Sequence, residues 1–425
     1  MRQGAGMAGE RLIAAVRGGD ANAVRALLED GADPDTVDER GTPVLCLAIA
    51  AFDEAVADEL VLHGADPVRR LPDGTTPQLR AVDSGSIGLT LGLLGEVSLL
   101  GEATRAELLA RARHWHERGP VAVLRERTGS SGAVERERVR DAPWFTEYHE
   151  LRLGGMTVRD GHTGILTLLE ARFGIRPGVE ELAGRAAALE HPDWDHASWQ
   201  EITSTLVARQ DDETWEAAAA LRAHRDPLFR RFGAGVLFFL GSREPFEQRG
   251  LEFLLDWVTE EEHPEVLAEV LCGLGEHDDP RIEPLGLAHL THRAAVVRRV
   301  VPSILGAVHS ERSGRRAFTA DGLNALLVLT GDTDAAVRRS AGYVLSESMN
   351  PDPVVGDTLV GLLDDEDQYL RIWAVHGLAE RDDPRCVEGA DRVGPVDDPA
   401  AWSWILDAPA RYEQRRGERE APAAG

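Results

Sequence analysis

The sequence predicts an all-α chain: an α-solenoid with a short N-terminal repeat array, a helical connector and a longer C-terminal array. Three observations carry this. One phrase recurs as Asp226-Pro-Leu-Phe-Arg230, His263-Pro-Glu-Val-Leu267, Ala294-Ala-Val-Val-Arg298, Asp334-Ala-Ala-Val-Arg338 and Asp367-Gln-Tyr-Leu-Arg371. Its fifth residues stand 37, 31, 40 and 33 positions apart, the spacing of stacked helical hairpins rather than of one globular core. A second repeat steps by 33 through residues 10–96, linking Leu12, Leu45 and Gln78, and Gly31-Ala-Asp33 to Gly64-Ala-Asp66. Finally, 43% hydrophobic residues with only 5% aromatics suits helices packed through Ala, Leu and Val.

In the C-terminal array each phrase precedes an apolar stripe at helical spacing, such as Val337, Ala341, Val344 and Leu345, or Leu370, Ala374, Val375 and Leu378. One hairpin cannot bury such a stripe alone, so the units must stack. Asp226, Asp334 and Asp367 cap the helix starts, and each precedes an Arg at i+4. The pattern D-x-x-(V/L)-R resembles the HEAT repeat, most closely its bacterial, bilin-lyase-like variety. The phrase at 263 departs from it, with His263 for Asp and Leu267 for Arg, and that at 294 lacks the acid.

In the N-terminal array, Gly41-Thr-Pro-Val44 and Gly74-Thr-Thr-Pro77 start short helices. Val24, Leu27 and Leu28 form an inner stripe, and Gly31 and Gly64 supply left-handed helix ends. These residues resemble the ankyrin repeat, with Val44 standing for the signature's Pro and Gln78 for a core Leu. Two full repeats and a truncated third are expected. Residues 97–197 read as a helical connector: an amphipathic helix over 103–117, a flexible break at 128–133, the charge-alternating stretch 135–140, and a helical hairpin over 161–189. Residues 198–410 complete the HEAT-like array, and the charged, small-residue-rich 411–425 reads as a disordered tail.

Charge bounds the partners. The formal net charge is −27, and no Lys occurs, so all 46 basic residues are Arg. That excludes Lys Schiff-base chemistry and a phosphate-loop Lys. Residues 226–410 hold 17 Arg against 33 acids, residues 10–96 hold 7 against 16, and residues 97–225 hold 17 against 21. Such a field opposes unassisted binding to nucleic acid or an anionic membrane. Cys46, Cys272 and Cys386 are few, odd in number and set in apolar patterns, as expected of buried thiols in the cytoplasm. The first six residues lack the apolar core of a signal peptide, and the longest apolar run, 236–240, is too short for a membrane span.

Candidate chemical constellations each have a simpler explanation. His116-Glu117 and His149-Glu150 lie 33 apart, and a HEAT-type iron enzyme, deoxyhypusine hydroxylase, uses such pairs; here neither falls in a repeat helix. His114 and His116 point apart on a helix. His289 and His292 share a helical face but lack a third ligand. The acidic runs 260–262 and 364–367 precede helix starts, where capping explains them. The doublets Arg298-Arg299, Arg315-Arg316 and Arg338-Arg339 would make a basic stripe if all faced one groove, as the resemblance to HEAT-like alkylpurine DNA glycosylases would require. Pairing with neighbouring acids is the simpler expectation.

The expected function is therefore a non-catalytic, cytoplasmic protein–protein scaffold or adaptor with no cofactor, metal, nucleic acid or membrane requirement; the alternative is a HEAT-type enzyme acting on nucleic acid. The expected contact surface is the pair of ankyrin-type fingers at 34–40 and 67–73. There Asp35 and Asp38 oppose Arg69 and Arg70, with Leu71 as an exposed apolar anchor.

Overall fold

The computed structural model describes residues 2–141, 146–305, 318–348, 350–396 and 402–420. The chain divides into two units, Met1–Thr214 and Trp215–Gly425. Both are built mainly of consecutive helices packed in pairs, and the all-α repeat class holds for each.

The first unit opens with three hairpins: Arg2–Arg17 with Ala21–Glu29, Val44–Ala50 with Glu54–Leu62, and Pro77–Ser84 with Ile87–Leu94. The 33-residue period reappears in the caps, because Asp20, Asp53 and Ser86 each accept the amide three residues on. Gly31 and Gly64 have φ of +89° and +98°, which lets the chain leave the second helix of each pair. Leu12, Val24, Leu45, Val56, Leu60 and Leu89 fill the shared core. The unexpected Gln78 is buried, and its Nε2 donates to the Leu93 carbonyl at 2.9 Å. A polar side chain at a core position thus satisfies a free carbonyl at the end of the last helix.

The connector is not purely helical. After helices Glu102–Arg118 and Pro120–Thr128 comes an antiparallel meander, β1 (Glu135–Asp141), β2 (Thr146–Leu153) and β3 (Met156–Arg159), in the order β1-β2-β3. Gly154 and Gly155, with φ of +57° and +80°, form the two-residue turn between β2 and β3. Helices His162–Arg172, Val179–Ala187 and Ala197–Val207 follow.

The sheet is fastened to the first array at backbone level. The Ile87 amide donates to the Tyr148 hydroxyl at 3.3 Å, and the Arg159 guanidinium lies 4.5 Å from the Phe52 ring. A Cβ on Gly85, whose φ is +76°, would meet the Arg159 carbonyl oxygen at 1.9 Å. A Cβ on Gly161 would meet the Gly85 oxygen at 2.4 Å. Only glycine allows this approach. Gly85→Ala should therefore cost about 2–4 kcal/mol through strain and overpacking, read by urea unfolding, whereas Gly31→Ala, with open space around it, should cost only its backbone strain.

In the second unit, helices Pro227–Gly241, Pro264–Leu274, Ala295–Leu305, Ala335–Ser346 and Gln368–Glu380 pack in succession as one layer. Glu247–Trp257, Ile282–Ala288, Ala320–Leu329, Pro353–Leu362 and Arg385–Val393 alternate with them. Asp226, Asp334 and Asp367 cap their helices as the sequence implies. The expected disordered tail is instead a helix, Ala408–Glu420, over its described part; residues 421–425 lie outside the described residues. Ile405, Ala408 and Tyr412 bury themselves on the last apolar stripe, and Arg415 and Arg419 pair with Asp382. Order at this end comes from burial that the charged composition conceals. Among the described residues no helix is long and apolar enough to cross a membrane.

Candidate functional site

Each repeat of the second unit begins with a turn whose leading residue accepts the amide of the capping position. Glu261 accepts from His263 (2.9 Å), Asp332 from Asp334 (2.8 Å) and Asp365 from Asp367 (2.9 Å). Nδ1 of His224 and of His292 do the same for Asp226 and Ala294, both at 3.1 Å. The Arg four residues after the capping position reaches forward to the next repeat's leading acid through two nitrogens. Arg230 holds Glu261 (2.9 and 3.0 Å), Arg298 holds Asp332 (2.7 and 2.8 Å), and Arg338 holds Asp365 (2.8 and 3.2 Å). The same guanidinium groups donate back to the carbonyls of His224, His292 and Asp332. One rung lacks the ion pair: where Leu267 replaces the Arg, the next leading residue is His292, not an acid.

The ladder bears on the basic-stripe question for three of the four described doublet arginines; the fourth, Arg299, is exposed. Arg298 and Arg338 are engaged by acids, and Arg339 pairs with Asp367 at 2.6 Å. Arg315 and Arg316 lie outside the described residues. Arg298 and Arg338 hold the Asp332 and Asp365 carboxyls below the usual carboxylate range. At Glu261 burial pushes the carboxyl up, but Arg230 and the His263 amide outweigh it.

Because these folded-state pKa values are depressed, the stabilisation is present above the ordinary carboxylate range and lost as pH falls through the lowered values. The unfolding temperature of the second unit should accordingly drop steeply below about pH 4. Arg338→Leu should cost about 1–3 kcal/mol, because it leaves Asp365 half-buried without its cation. Arg338→Leu with Asp365→His, which copies the natural Leu267–His292 rung, should recover most of that loss in a double-mutant cycle.

At the far end of the ladder lies an aromatic surface. Tyr343 is 43% exposed, Tyr369 41% and Trp404 55%, and they surround the half-buried Trp373 and Trp402. Trp373 meets Tyr343 edge-on at 4.6 Å and Trp402 and Trp404 at 6.3 Å; Tyr369 lies 5.2 Å from Trp402. Arg339 sits 5.3 Å over Tyr369, and His376 pairs with Glu347 at 3.3 Å beside Trp404. The sequence contains all five aromatics, but they come from three helices and a turn whose order only the fold supplies.

The finger loops are partly as expected. Asp35 spans both fingers, its carboxylate accepting the Asp66 amide at 3.0 Å, and Arg69 donates to the Asp35 carbonyl at 3.3 Å. Asp38 is buried as a turn staple: the Thr42 amide, the Arg40 amide and Arg17 hold its carboxyl low against burial. Arg70 is engaged by Glu107 of helix Glu102–Arg118 through both nitrogens (3.0 and 2.5 Å), not by the neighbouring finger. Leu71 is no exposed anchor. It is 7% exposed, its amide tied to the Thr75 carbonyl in a tight hairpin. The apolar groups the fingers do expose are Val37 and Val68.

The histidines resolve into local roles. His116 is helical and shares a hydrogen bond with Thr163 (3.1 Å), whereas His149 lies on β2, so their 33-residue spacing is not a structural repeat. His289 and His292 meet edge-on at 5.9 Å, with His292 Nδ1 occupied by the Ala294 amide. The fold does bring together His149, Asp160 and His196, whose donor atoms lie within 4.8 Å of one another, a group the sequence gives no spacing for. Asp160 takes 3.1 Å contacts from His149 Nδ1 and His196 Nε2 and the His149 amide at 2.9 Å. Burial pushes its carboxyl up, but His196 and then His149 bring it below the usual range. The Ser198 amide donates to His196 Nδ1 at 3.1 Å, so Nε2 carries the proton and donates to Asp160. A cation at Nε2 would require the opposite tautomer. The donor set fits a polar lock joining β2, the turn after β3 and helix Ala197–Val207.

No family model matches the chain. Eighty residues, 18% of the chain, are 41% identical to the human 2-5A-dependent ribonuclease and span 11% of that protein's length. An X-ray structure of YibA from E. coli is similar over 55% of this chain and 92% of its own, at 16% identity and a TM-score of 0.39.

Proposed function

We propose that the chain is a non-catalytic protein-interaction scaffold whose C-terminal array docks a basic protein segment on the Tyr343–Trp404 aromatic surface. The exposure of Trp404, Tyr343 and Tyr369 on one patch is the observation that carries this. Rings left in water at the end of a well-packed array are costly, and Trp, Tyr and Arg are the side chains that anchor interfaces. The surplus of acids in residues 226–410 favours a cationic partner. The exposed Val37 and Val68 beside Arg69 offer a second contact on the fingers. An enzyme acting on nucleic acid is the weaker reading, because three of the arginines its groove would need, Arg298, Arg338 and Arg339, are engaged by acids. The three free cysteines, Cys46 and Cys386 among them buried, suit a cytoplasmic setting.

Immobilised native chain should retain a basic protein from lysate, and Trp404→Ala with Tyr343→Ala should weaken that complex at least tenfold, ~1.4 kcal/mol, without lowering the unfolding temperature. Val37→Asp with Val68→Asp tests the finger contact separately. Retention unchanged in the aromatic variant, or tight binding of duplex DNA at physiological salt, would remove the scaffold reading of this surface.

A further inference from the structure

Within the first unit a cleft of about 440 Å³ opens between the N-terminal array and β3. Three arginines from different elements converge on it: Arg80 from helix Pro77–Ser84, Arg111 from helix Glu102–Arg118 and Arg127 from helix Pro120–Thr128. Two acids answer them, Asp73 and Asp83, so the lining carries one more cation than anions in a chain of net charge −27. Asp83 is the organiser. Its carboxylate accepts Trp115 Nε1 (2.7 Å), Arg127 Nη2 (2.7 Å) and Arg111 Nη1 (3.0 and 3.3 Å). Arg127 also rests 4.8 Å over the fully buried Trp115 ring.

Each of these two guanidinium groups is thus fixed through one nitrogen. No other acceptor among the described residues engages the remaining N–H groups of either. A guanidinium presents five donors, and the remaining ones on Arg111 and Arg127 are not among the buried unpartnered groups, so they face the cleft's water and are free to meet an incoming anion. Arg80 closes the third side, held by Asp73 at 2.9 Å and by Thr75 at 3.1 Å. The other wall is apolar, with Ile49, Phe52, Met156 and Val158. The volume lies in the range of small-ligand sites, which pair an apolar wall with a few fixed polar groups.

We infer that this cleft binds an oxyanion, a carboxylate or phosphate monoester, carried on an apolar or aromatic body. The planar fork of arginine matches both anions, and the apolar wall takes the body. This site is independent of the aromatic surface proposed above, being in the other unit.

The test is calorimetric titration of the full chain at pH 7 and low salt with phenyl phosphate and, separately, N-acetylphenylalanine. At least one probe should saturate, with a dissociation constant on the order of 1 mM or tighter, and the tighter of the two identifies the anion. Arg127→Gln and Arg111→Lys should each weaken binding at least tenfold; the second keeps the charge beside Asp83 and removes only the fork. Arg40→Gln, on an exposed finger, should bind as the native chain does. If Arg127→Gln lowers the unfolding temperature, Arg80→Gln, whose ion pair with Asp73 is largely exposed, gives the same reading. Failure of both probes to saturate at 10-fold that concentration, or native affinity in the folded variants, overturns the inference.

Discussion

The second unit depends on a single polar linkage, the two-nitrogen bond from an arginine of one repeat to the leading acid of the next. Apolar stripes supply most of the burial and interlock locally, as where the Leu370 side chain fills the space over Gly342. The ladder fixes their register. Arg298, for example, joins the His292 carbonyl of its own repeat to the Asp332 carboxylate of the following one, so a shift of either helix breaks bonds in a half-buried place. The Leu267–His292 step shows that the two partners act as a pair. Where the arginine is absent the carboxylate is absent as well, so no carboxylate is left without its cation.

The same linkage recasts the overall charge. A surplus of 27 negative charges suggests a featureless acidic coat, yet many of the acids are structural: they cap helices, close turns or hold arginines. Asp38, Asp83, Asp160 and Asp365 each accept several donors and are largely enclosed. What faces solvent is patchier, with an aromatic surface at one end of the C-terminal array and an arginine-lined cleft in the N-terminal unit.

Local chemistry makes much of this legible in the amino-acid sequence. The 33-residue steps locate the first array because its caps and glycines recur at that interval, and Asp226, Asp334 and Asp367 locate helix starts because a capping carboxylate has a local task. What escapes are features set by distant contacts. The meander at 135–159 is hidden by charge: β1 reads Glu-Arg-Glu-Arg, and only Gly154-Gly155 between two short alternating runs signals a hairpin. The helix Ala408–Glu420 looks like a polar tail because only one narrow face, through Ala408 and Tyr412, is buried. Leu71 fails as an anchor for the reverse reason, since a lone leucine among charges looks exposed until the hairpin turns it inward. The Asp83 hub joins residues 28 to 44 positions apart. In the His149–Asp160–His196 lock the separations from the aspartate are 11 and 36, and no spacing rule reaches either group.

The two ends of the ladder differ from its middle. At the start, the leading residue is His224, which has no carboxylate to receive an arginine. At the finish, Arg371 turns to the Val393 carbonyl at 3.2 Å, and Gln368 donates to the Val393 and Pro395 carbonyls. Helix Ala408–Glu420 then covers the apolar stripe that a further repeat would have used. Among the described residues, neither terminus of the array offers the bonding pattern that its own internal joints use. An incoming helical hairpin would therefore meet a histidine at the first joint and an arginine already bonded to a carbonyl at the last.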